Sequence, residues 1–258
     1  QTQVKSCIDY IYQGEIFQAN LSRLWRFKVD EELTDIDIYR KLREKNPAPF
    51  AGIVRYKKSS IISSSPERLI SISGDHLQTR PIAGTRPRGT SGIVDVELTR
   101  ELINSDKEKA EHLMLVDLER NDISKVCEAG SVKVDEMMSI ETYAHVHHIV
   151  SNISGKKKKN INPGEIIKSV FPGGTITGCP KVRCMEILAE LEKEGRGPYT
   201  GSFGYVTHSG NMDINILIRT ILKESNDLFF RAGGGIVADS IPQNETLETE
   251  AKANGMLK

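Results

Sequence analysis

The sequence has 258 residues, of which 38% are apolar, so it can bury a core and is not a disordered chain. Its 35 basic and 35 acidic side chains cancel, which argues against a nucleic-acid binder and against an acidic tail. No apolar run is long enough to span a membrane and no signal peptide opens the chain, so we expect a cytoplasmic protein. Its four cysteines lack the spacing of a disulfide framework or a metal site.

Hydrophobic periodicity predicts alternating groups of helices and strands. In chain order these are a helix over 4–13, a strand over 17–27, a helix over 36–44, strands between 50 and 82, helices over 94–103 and 106–121, a β-rich stretch over 132–153, helices over 161–170 and 181–191, strands between 201 and 237, and a helix over 244–258. Strand runs clustered between helix runs favour an α+β fold over regular βαβ alternation. Without repeats or a flexible linker, we expect one domain over 1–258.

Local patterns mark a few polar positions. In the first strand Gln18, Asn20 and Ser22 share one face, opposite an apolar face. Ser105 and Glu108 have the spacing of a capping box at the start of a helix. On that helix Glu111 shares a stripe with apolar residues, so it points towards packed structure and needs a partner such as a metal ion or an arginine.

Other patterns have ordinary explanations beside functional ones. Glu248 and Lys252 are four residues apart, which is typical of an exposed ion pair on a helix. The glycines at 233–235 could let backbone N–H groups approach an anion, or form a bulge or tight turn. The basic stretch 81–89 leaves little room for regular structure and is predicted to be a turn. Three nearby histidines suggest a metal site, but His145 and His147 share a strand face that His148 does not.

Ten segments, in order and nearly end to end, resemble the chorismate-utilising family of anthranilate synthase component I and aminodeoxychorismate synthase component I. They are GEIFQANL (14–21), SPE (65–67), RPIAGTRPRG (80–89), KAEHLMLVDL (109–118), RND (120–122), GSV (130–132), FPGGTITGCPKVRCME (171–186), GNMD (210–213), IRT (218–220) and AGGGIVADS (232–240). The resemblance implies an antiparallel β-sandwich flanked by helices. It covers the catalytic part of such proteins, which usually carry a further upstream region, and we expect that region to be absent from this chain.

The resemblance also implies how substrate and metal are bound. Glu111 and Glu248 match the glutamates that bind one Mg²⁺, which holds the ring carboxylate of chorismate, and Mg²⁺ suits a site with few carboxylates. The second carboxylate of chorismate would be received by residues that match the family's anion-binding positions. These are Tyr199, Arg219, Lys252 and the amides of Gly233 and Gly235.

For the chemistry, Glu67 matches the general acid that helps the ring C4 hydroxyl leave. Such an acid needs a pKa raised by burial to work near neutral pH. His148 and Thr175 match positions at the reacting end of the ring, with Thr85 of the PIAGT motif predicted beside them. Gln18 stands where water-adding relatives have a lysine base, and a neutral amide cannot take a proton. We therefore expect ammonia as the nucleophile, supplied by a separate glutamine amidotransferase subunit.

The product is the open question at this point. Ala83 stands where the para-aminobenzoate branch uses a nucleophilic lysine, and in this respect the chain resembles anthranilate synthases. The segments 173–178 and 201–205 and the pair His147–His148 look more like the aminodeoxychorismate branch. We expect 4-amino-4-deoxychorismate, with anthranilate synthesis as the alternative. A third possibility is an inactive or regulatory chorismate-binding module.

Overall fold

The computed structural model describes residues 1–143 and 146–257. Its helices are α1 (Thr2–Tyr12), α2 (Asp35–Lys45), α3 (Gly92–Asn104), α4 (Asp106–Ser124), α5 (Pro163–Val170), α6 (Lys181–Glu192) and α7 (Pro242–Leu257). Its strands are β1 (Gln18–Lys28), β2 (Phe50–Tyr56), β3 (Ser59–Ser65), β4 (Arg68–Ser73), β5 (His76–Thr79), β6 (Ile82–Pro87), β7 (Lys133–Thr142), β8 (Val146–Lys156), β9 (Gly178–Cys179), β10 (Gly204–Val206), β11 (Met212–Asn215), β12 (Thr220–Glu224) and β13 (Asp227–Ile236). Helices combined with antiparallel sheets confirm the predicted α+β class.

Helix starts follow local capping chemistry. Thr34 caps α2 through a reciprocal capping box with Asp37, and Asn162 does the same for α5 with Glu165. At α4 the hydroxyl of Ser105 accepts the N–H of Glu108, but the Glu108 carboxylate pairs with Arg86 at 3.2 Å. The predicted capping box is therefore only half correct, because an arginine competes for its carboxylate.

The described residues divide into two compact units, each built from separate chain segments. The first unit comprises described residues of Gln1–Pro66, Ile176–Phe203 and Ile216–Lys258, and the second those of Glu67–Thr175 and Gly204–Asn215. The single domain predicted over 1–258 stays a prediction. Among the described helices, none has the length and hydrophobicity needed to cross a bilayer.

The first unit contains a six-stranded antiparallel sheet in the order β2-β3-β12-β13-β1-β9. Strand β1 pairs with β13 over ten residues, from Ala19 opposite Ile236 to Lys28 opposite Asp227. Apolar residues of β1 pack against helices, with Ala19 in the cluster formed by α1 and α6. The face of β1 that carries Gln18 and Asn20 is opposite these residues, as its alternating pattern predicts.

The second unit contains a sheet in the order β10-β11-β4-β5-β8-β6, with β7 also paired to β8. The turn predicted for 81–89 is wrong, because most of this stretch forms strand β6 (Ile82–Pro87). A positive φ of 68° at Gly84 produces a bulge between Ala83 and Thr85, and this lets the segment pair with β8 although prolines flank it. Pro87 is the last residue of the strand, where a missing N–H is tolerated.

Candidate functional site

Arg219 lies in the first unit, immediately before β12. Its φ is 49°, a left-handed backbone conformation that costs free energy for a residue with a side chain. The side chain is half-buried, and burial lowers the pKa of its guanidinium. Within residues 1–143 and 146–257, no carboxylate pairs with this guanidinium. An anion bound here would relieve the desolvation of the charge.

Tyr199 and Gly233 are brought into close proximity. The Tyr199 ring is buried, and its hydroxyl donates to Oδ1 of Asn20 at 3.3 Å. A Cβ atom added to Gly233 would lie 2.6 Å from both that hydroxyl oxygen and Asn20 Oδ1 and 2.9 Å from the backbone carbonyl oxygen of Leu21, so a side chain here would force its neighbours to move. Gly235 pairs with Asn20 across the β1–β13 ladder. Contrary to the alternative of a bulge or turn, residues 233–235 therefore belong to a regular strand.

The glycines of β13 have an open backbone edge. Pairing of β13 with β12 extends from Asp227 to Phe230, whereas pairing with β1 continues to Ile236. In the described part of the sheet, residues beyond Phe230 thus have a strand neighbour on one side only. This edge can present backbone groups to a ligand, as the sequence predicts for the amides of Gly233 and Gly235.

Glu248 and Lys252 form the ion pair expected from their spacing, with 2.7 Å between Glu248 Oε1 and Lys252 Nζ. Lys252 also donates to the carbonyl oxygen of Gly233 at 2.9 Å, so the pair is attached to β13. A Cβ at Gly234 would lie 3.5 Å from Oε1 of Glu248 and 3.4 Å from Oε2 of Glu245. Glycine at position 234 therefore keeps the space beside these carboxylates open.

Gln18 is the first residue of β1 and pairs with Cys179 of the short strand β9. Its side chain is buried, with 3% of the residue exposed. The loop that follows Thr175 fixes the backbone nearby, because the N–H of Asn20 donates to the carbonyl oxygen of Thr177 at 2.9 Å. The structure thus buries a neutral side chain at position 18, and its predicted role in excluding water addition stays a prediction.

In the second unit, Glu67 and Thr175 are in direct contact although 108 positions separate them in sequence. The Thr175 hydroxyl donates to Oε1 of Glu67 at 2.7 Å. Glu67 is buried, with 5% of the residue exposed. The hydrogen bond fixes the orientation of the carboxyl group, and the role of Glu67 as a proton donor stays a prediction.

Thr85 and His148 face each other on the paired strands β6 and β8. Oγ1 of Thr85 lies 2.9 Å from Nδ1 of His148, and the carbonyl oxygen of Gly84 lies 3.4 Å from the same nitrogen. Ala83, on the other side of the bulge, pairs with Ile149 and is buried. Ala83, which stands where the para-aminobenzoate branch is expected to have a lysine, is thus two residues from Thr85 on β6. It pairs with the residue that follows His148 on β8.

His147 has a structural environment. Its Nε2 lies 2.9 Å from Oδ1 of Asp95, and its Nδ1 lies 2.9 Å from Oγ1 of Thr142. The Arg88 guanidinium and the N–H of Gly89 hold the pKa of Asp95 well below its usual range. His145 lies outside the described residues. A structural role, not a metal-binding one, therefore explains His147, because both of its ring nitrogens have hydrogen-bond partners.

Glu111 lies on α4 of the second unit and is partly buried, on the same stripe as the buried Leu115. Among the described residues, no group of three or more histidine, cysteine or acidic side chains could hold a metal ion. A Mg²⁺ site formed by two glutamates has fewer than three such side chains, so the absence of a larger group does not bear on it. Glu111 belongs to the second unit and Glu248 to the first, so the metal-binding role of this pair stays a prediction.

The sequence pattern gave no reason to single out Glu192 and Arg196. They form an ion pair of 2.7 Å at i,i+4 spacing, which usually indicates a solvated helix surface. Here the Glu192 side chain is 2% exposed. Burial of such a pair depends on tertiary packing, which spacing does not reveal.

Comparison with known proteins gives a consistent result along the whole chain. The family model described as chorismate binding enzyme matches residues 1–258. An anthranilate synthase component I-like protein from Synechocystis sp. is 48% identical over 257 residues, covering 100% of this chain and 53% of that protein. Aminodeoxychorismate synthase component 1 from Bacillus subtilis is 47% identical over 253 residues, covering 98% of this chain and 53% of that protein.

A solved structure agrees with these sequence matches. Anthranilate synthase component I from Streptococcus pneumoniae superposes with a TM-score of 0.91 at 37% identity, covering 100% of this chain and 57% of that chain. The present chain therefore spans about half the length of the relatives it matches.

Proposed function

Since this chain belongs to the family of chorismate binding enzymes, we propose that it carries the catalytic part of an enzyme that aminates chorismate with ammonia. The observation that supports this proposal most directly is the half-buried guanidinium of Arg219, which no described carboxylate neutralises. Such a charge favours an anionic ligand, and chorismate carries two carboxylates. An arginine can donate two parallel hydrogen bonds to one of them.

The residues near β13 provide the remaining contacts for the same carboxylate. Tyr199 offers a hydroxyl that already bonds Asn20, and Lys252 is fixed against the carbonyl of Gly233. The open edge of β13 adds backbone groups at Gly233 and Gly235. Together these groups would hold the substrate in one orientation, which is the main requirement for a reaction at one ring carbon.

The predicted ligands are of the kind that suits Mg²⁺. Glu111 and Glu248 would each supply carboxylate oxygens, the ligands this ion prefers, and glycine at position 234 places no side chain beside Glu248. When bound, Mg²⁺ would neutralise and orient the ring carboxylate of chorismate. The ion pair with Lys252 would hold the glutamate in place while no metal is bound.

Glu67 is proposed as the proton donor. It is buried, and the Thr175 hydroxyl fixes one oxygen of its carboxyl group. Its proton would pass to the C4 hydroxyl of chorismate, so that the C4–O bond breaks and water departs. Thr85 and His148 would contact the same end of the ring from strands β6 and β8.

Ammonia is the proposed nucleophile, because the amide of Gln18 cannot act as a base for water. A separate glutamine amidotransferase would supply it. The names of the relatives support this partner, because the Bacillus subtilis enzyme is called component 1 and the Synechocystis protein component I-like.

We propose 4-amino-4-deoxychorismate as the product. A second product, anthranilate, is favoured by Ala83, because alanine cannot form a covalent intermediate with the ring. In that reaction ammonia adds at C2 and pyruvate is then lost. Relatives of nearly equal identity carry both names.

One experiment separates these possibilities. The chain is incubated with chorismate and an ammonium salt at alkaline pH, with Mg²⁺ or with a chelator, and products are identified by chromatography and mass spectrometry. A Mg²⁺-dependent 4-amino product supports the proposal, and anthranilate supports the second assignment. Isochorismate would contradict the argument from Gln18. Chorismate binding without turnover would indicate a regulatory module.

A further inference from the structure

A buried carboxylate in the first unit ties together several segments of the sheet. The side chain of Glu192, at the end of α6, is 2% exposed. Its Oε1 accepts the N–H of Ser22 at 2.9 Å and the hydroxyl of Ser22 at 2.8 Å. Two arginines donate to the same carboxylate, Arg196 at 2.7 and 3.0 Å and Arg231 at 3.3 Å.

Arg196 extends this network towards residues with predicted substrate contacts. Its Nη2 donates to the carbonyl oxygen of Asn20 at 2.6 Å, and its Nη1 donates to that of Ile176 at 3.0 Å. Asn20 lies two residues after Gln18 on β1, and its side chain accepts the Tyr199 hydroxyl. One guanidinium therefore fixes the backbone of both strands at one end of the short pair β1–β9.

The same guanidinium lies against Tyr199. Its central carbon is 5.6 Å from the centre of the Tyr199 ring, within the range of a cation–π interaction. The N–H of Tyr199 donates to the carbonyl oxygen of Arg196 at 3.2 Å, and Gly197 inside this turn has a φ of 58°. Arg196 therefore starts the turn that carries Tyr199 and also supports the face of its ring.

We propose that Arg196 is a positioning residue for substrate binding, acting through Tyr199. This inference rests on the proposed function, in which Tyr199 contacts a carboxylate of chorismate. The planar guanidinium bonds Glu192 through Nε and Nη2 while reaching two carbonyl groups. A lysine keeps the charge but cannot form this set of bonds, because its donors diverge from one nitrogen. Arg196→Lys thus loosens Tyr199 and leaves Glu192 paired with Arg231.

The test is a double-mutant cycle read by calorimetric titration of chorismate in the presence of Mg²⁺. Arg196→Lys is expected to raise the Kd about tenfold. In a Tyr199→Phe background, the same substitution should add less than about twofold, because the group through which Arg196 acts has been removed. Arg26→Lys serves as the matched control, since Arg26 forms an exposed ion pair with Glu194. Equal effects of Arg196→Lys in both backgrounds, or no effect in either, would overturn the proposal.

A ligand-free measurement separates this inference from the proposed function. Fluorotyrosine is incorporated at the seven tyrosines, and the ¹⁹F NMR signal of Tyr199 is assigned with Tyr199→Phe. The signal should broaden or shift in Arg196→Lys and Arg196→Gln but not in Arg26→Lys. Failure of the wild-type chain to bind chorismate would defeat the proposed function, and an unchanged Tyr199 signal would defeat the positioning role.

Discussion

The substitution Glu248→Gln tests the metal site against the ordinary explanation of a surface ion pair. Glu248 Oε1 lies 2.7 Å from Lys252 Nζ, and the two side chains are 50% and 49% exposed. If the carboxylate serves only this ion pair, its charge contributes little to the stability of the fold. If it binds Mg²⁺, the neutral amide removes a ligand charge with almost no change in volume.

The two explanations predict effects of different size. An exposed i,i+4 ion pair contributes about 0.3–0.5 kcal/mol, which corresponds to a change in Tm of about 1–2 °C for a chain of this length. Loss of a metal ligand is expected to reduce turnover more than about a hundredfold, or about 2.7 kcal/mol in activation free energy. We therefore expect Glu248→Gln to remain folded with a nearly normal Tm and to lose activity. Glu111→Gln is expected to behave alike.

Glu250→Gln is the matched control. Glu250 lies on the same helix and forms an exposed ion pair of 3.2 Å with Arg23. Product formation from chorismate and ammonium salt is measured for each variant across a Mg²⁺ titration, beside thermal unfolding. Near-wild-type activity of Glu248→Gln at every Mg²⁺ concentration would refute the two-glutamate site. An equal loss in Glu250→Gln would assign the effect to helix charge.

Three further predictions concern the nucleophile, the product and stability. The isolated chain should use ammonium salts at alkaline pH but not glutamine, and glutamine-dependent turnover without a partner would contradict the two-subunit proposal. If the chain belongs to the aminodeoxychorismate branch, Ala83→Lys should favour C4 amination. If it belongs to the anthranilate branch, the same substitution should block C2 amination. Product analysis distinguishes the two results. Asp35→Asn should cost about 1 kcal/mol at pH 7 in urea unfolding, because Arg55 lowers the pKa of Asp35 to about 2. The stability difference between wild type and Asp35→Asn should be present above the ordinary pKa of an aspartate and should disappear as the pH falls towards 2.

The sequence predicted the helices and most strands closely, because their periodicity is local. The predicted helix over 36–44 corresponds to Asp35–Lys45, and the predicted helix over 181–191 to Lys181–Glu192. The failure at 81–89 also has a local cause. Two prolines and two glycines indicate a turn, whereas the pairing of β6 with β8 depends on a partner about 60 residues away or more.

Recognition of the site depended on motifs and not on periodicity. Glu67 and Thr175 lie in separate motifs, and only the fold brings them to 2.7 Å. Arg219 belongs to a short motif, but its half-buried charge, which no carboxylate of the described residues pairs, depends on neighbours that are distant in sequence. Residues that act through others, such as Arg196, carry no local signal.

The residues proposed to bind the substrate anion and those proposed to carry out the chemistry belong to different units. We therefore expect substitutions in the two groups to change different kinetic constants. The residues proposed to hold the substrate anion in the first unit are Tyr199, Arg219, Gly233, Gly235 and Lys252, whereas those proposed for the chemistry in the second are Glu67, Thr85, His148 and Thr175. Contacts made equally to substrate and transition state lower KM without raising kcat, whereas proton transfer lowers the barrier itself. Conservative substitutions in the first group should therefore raise KM, and those in the second should lower kcat.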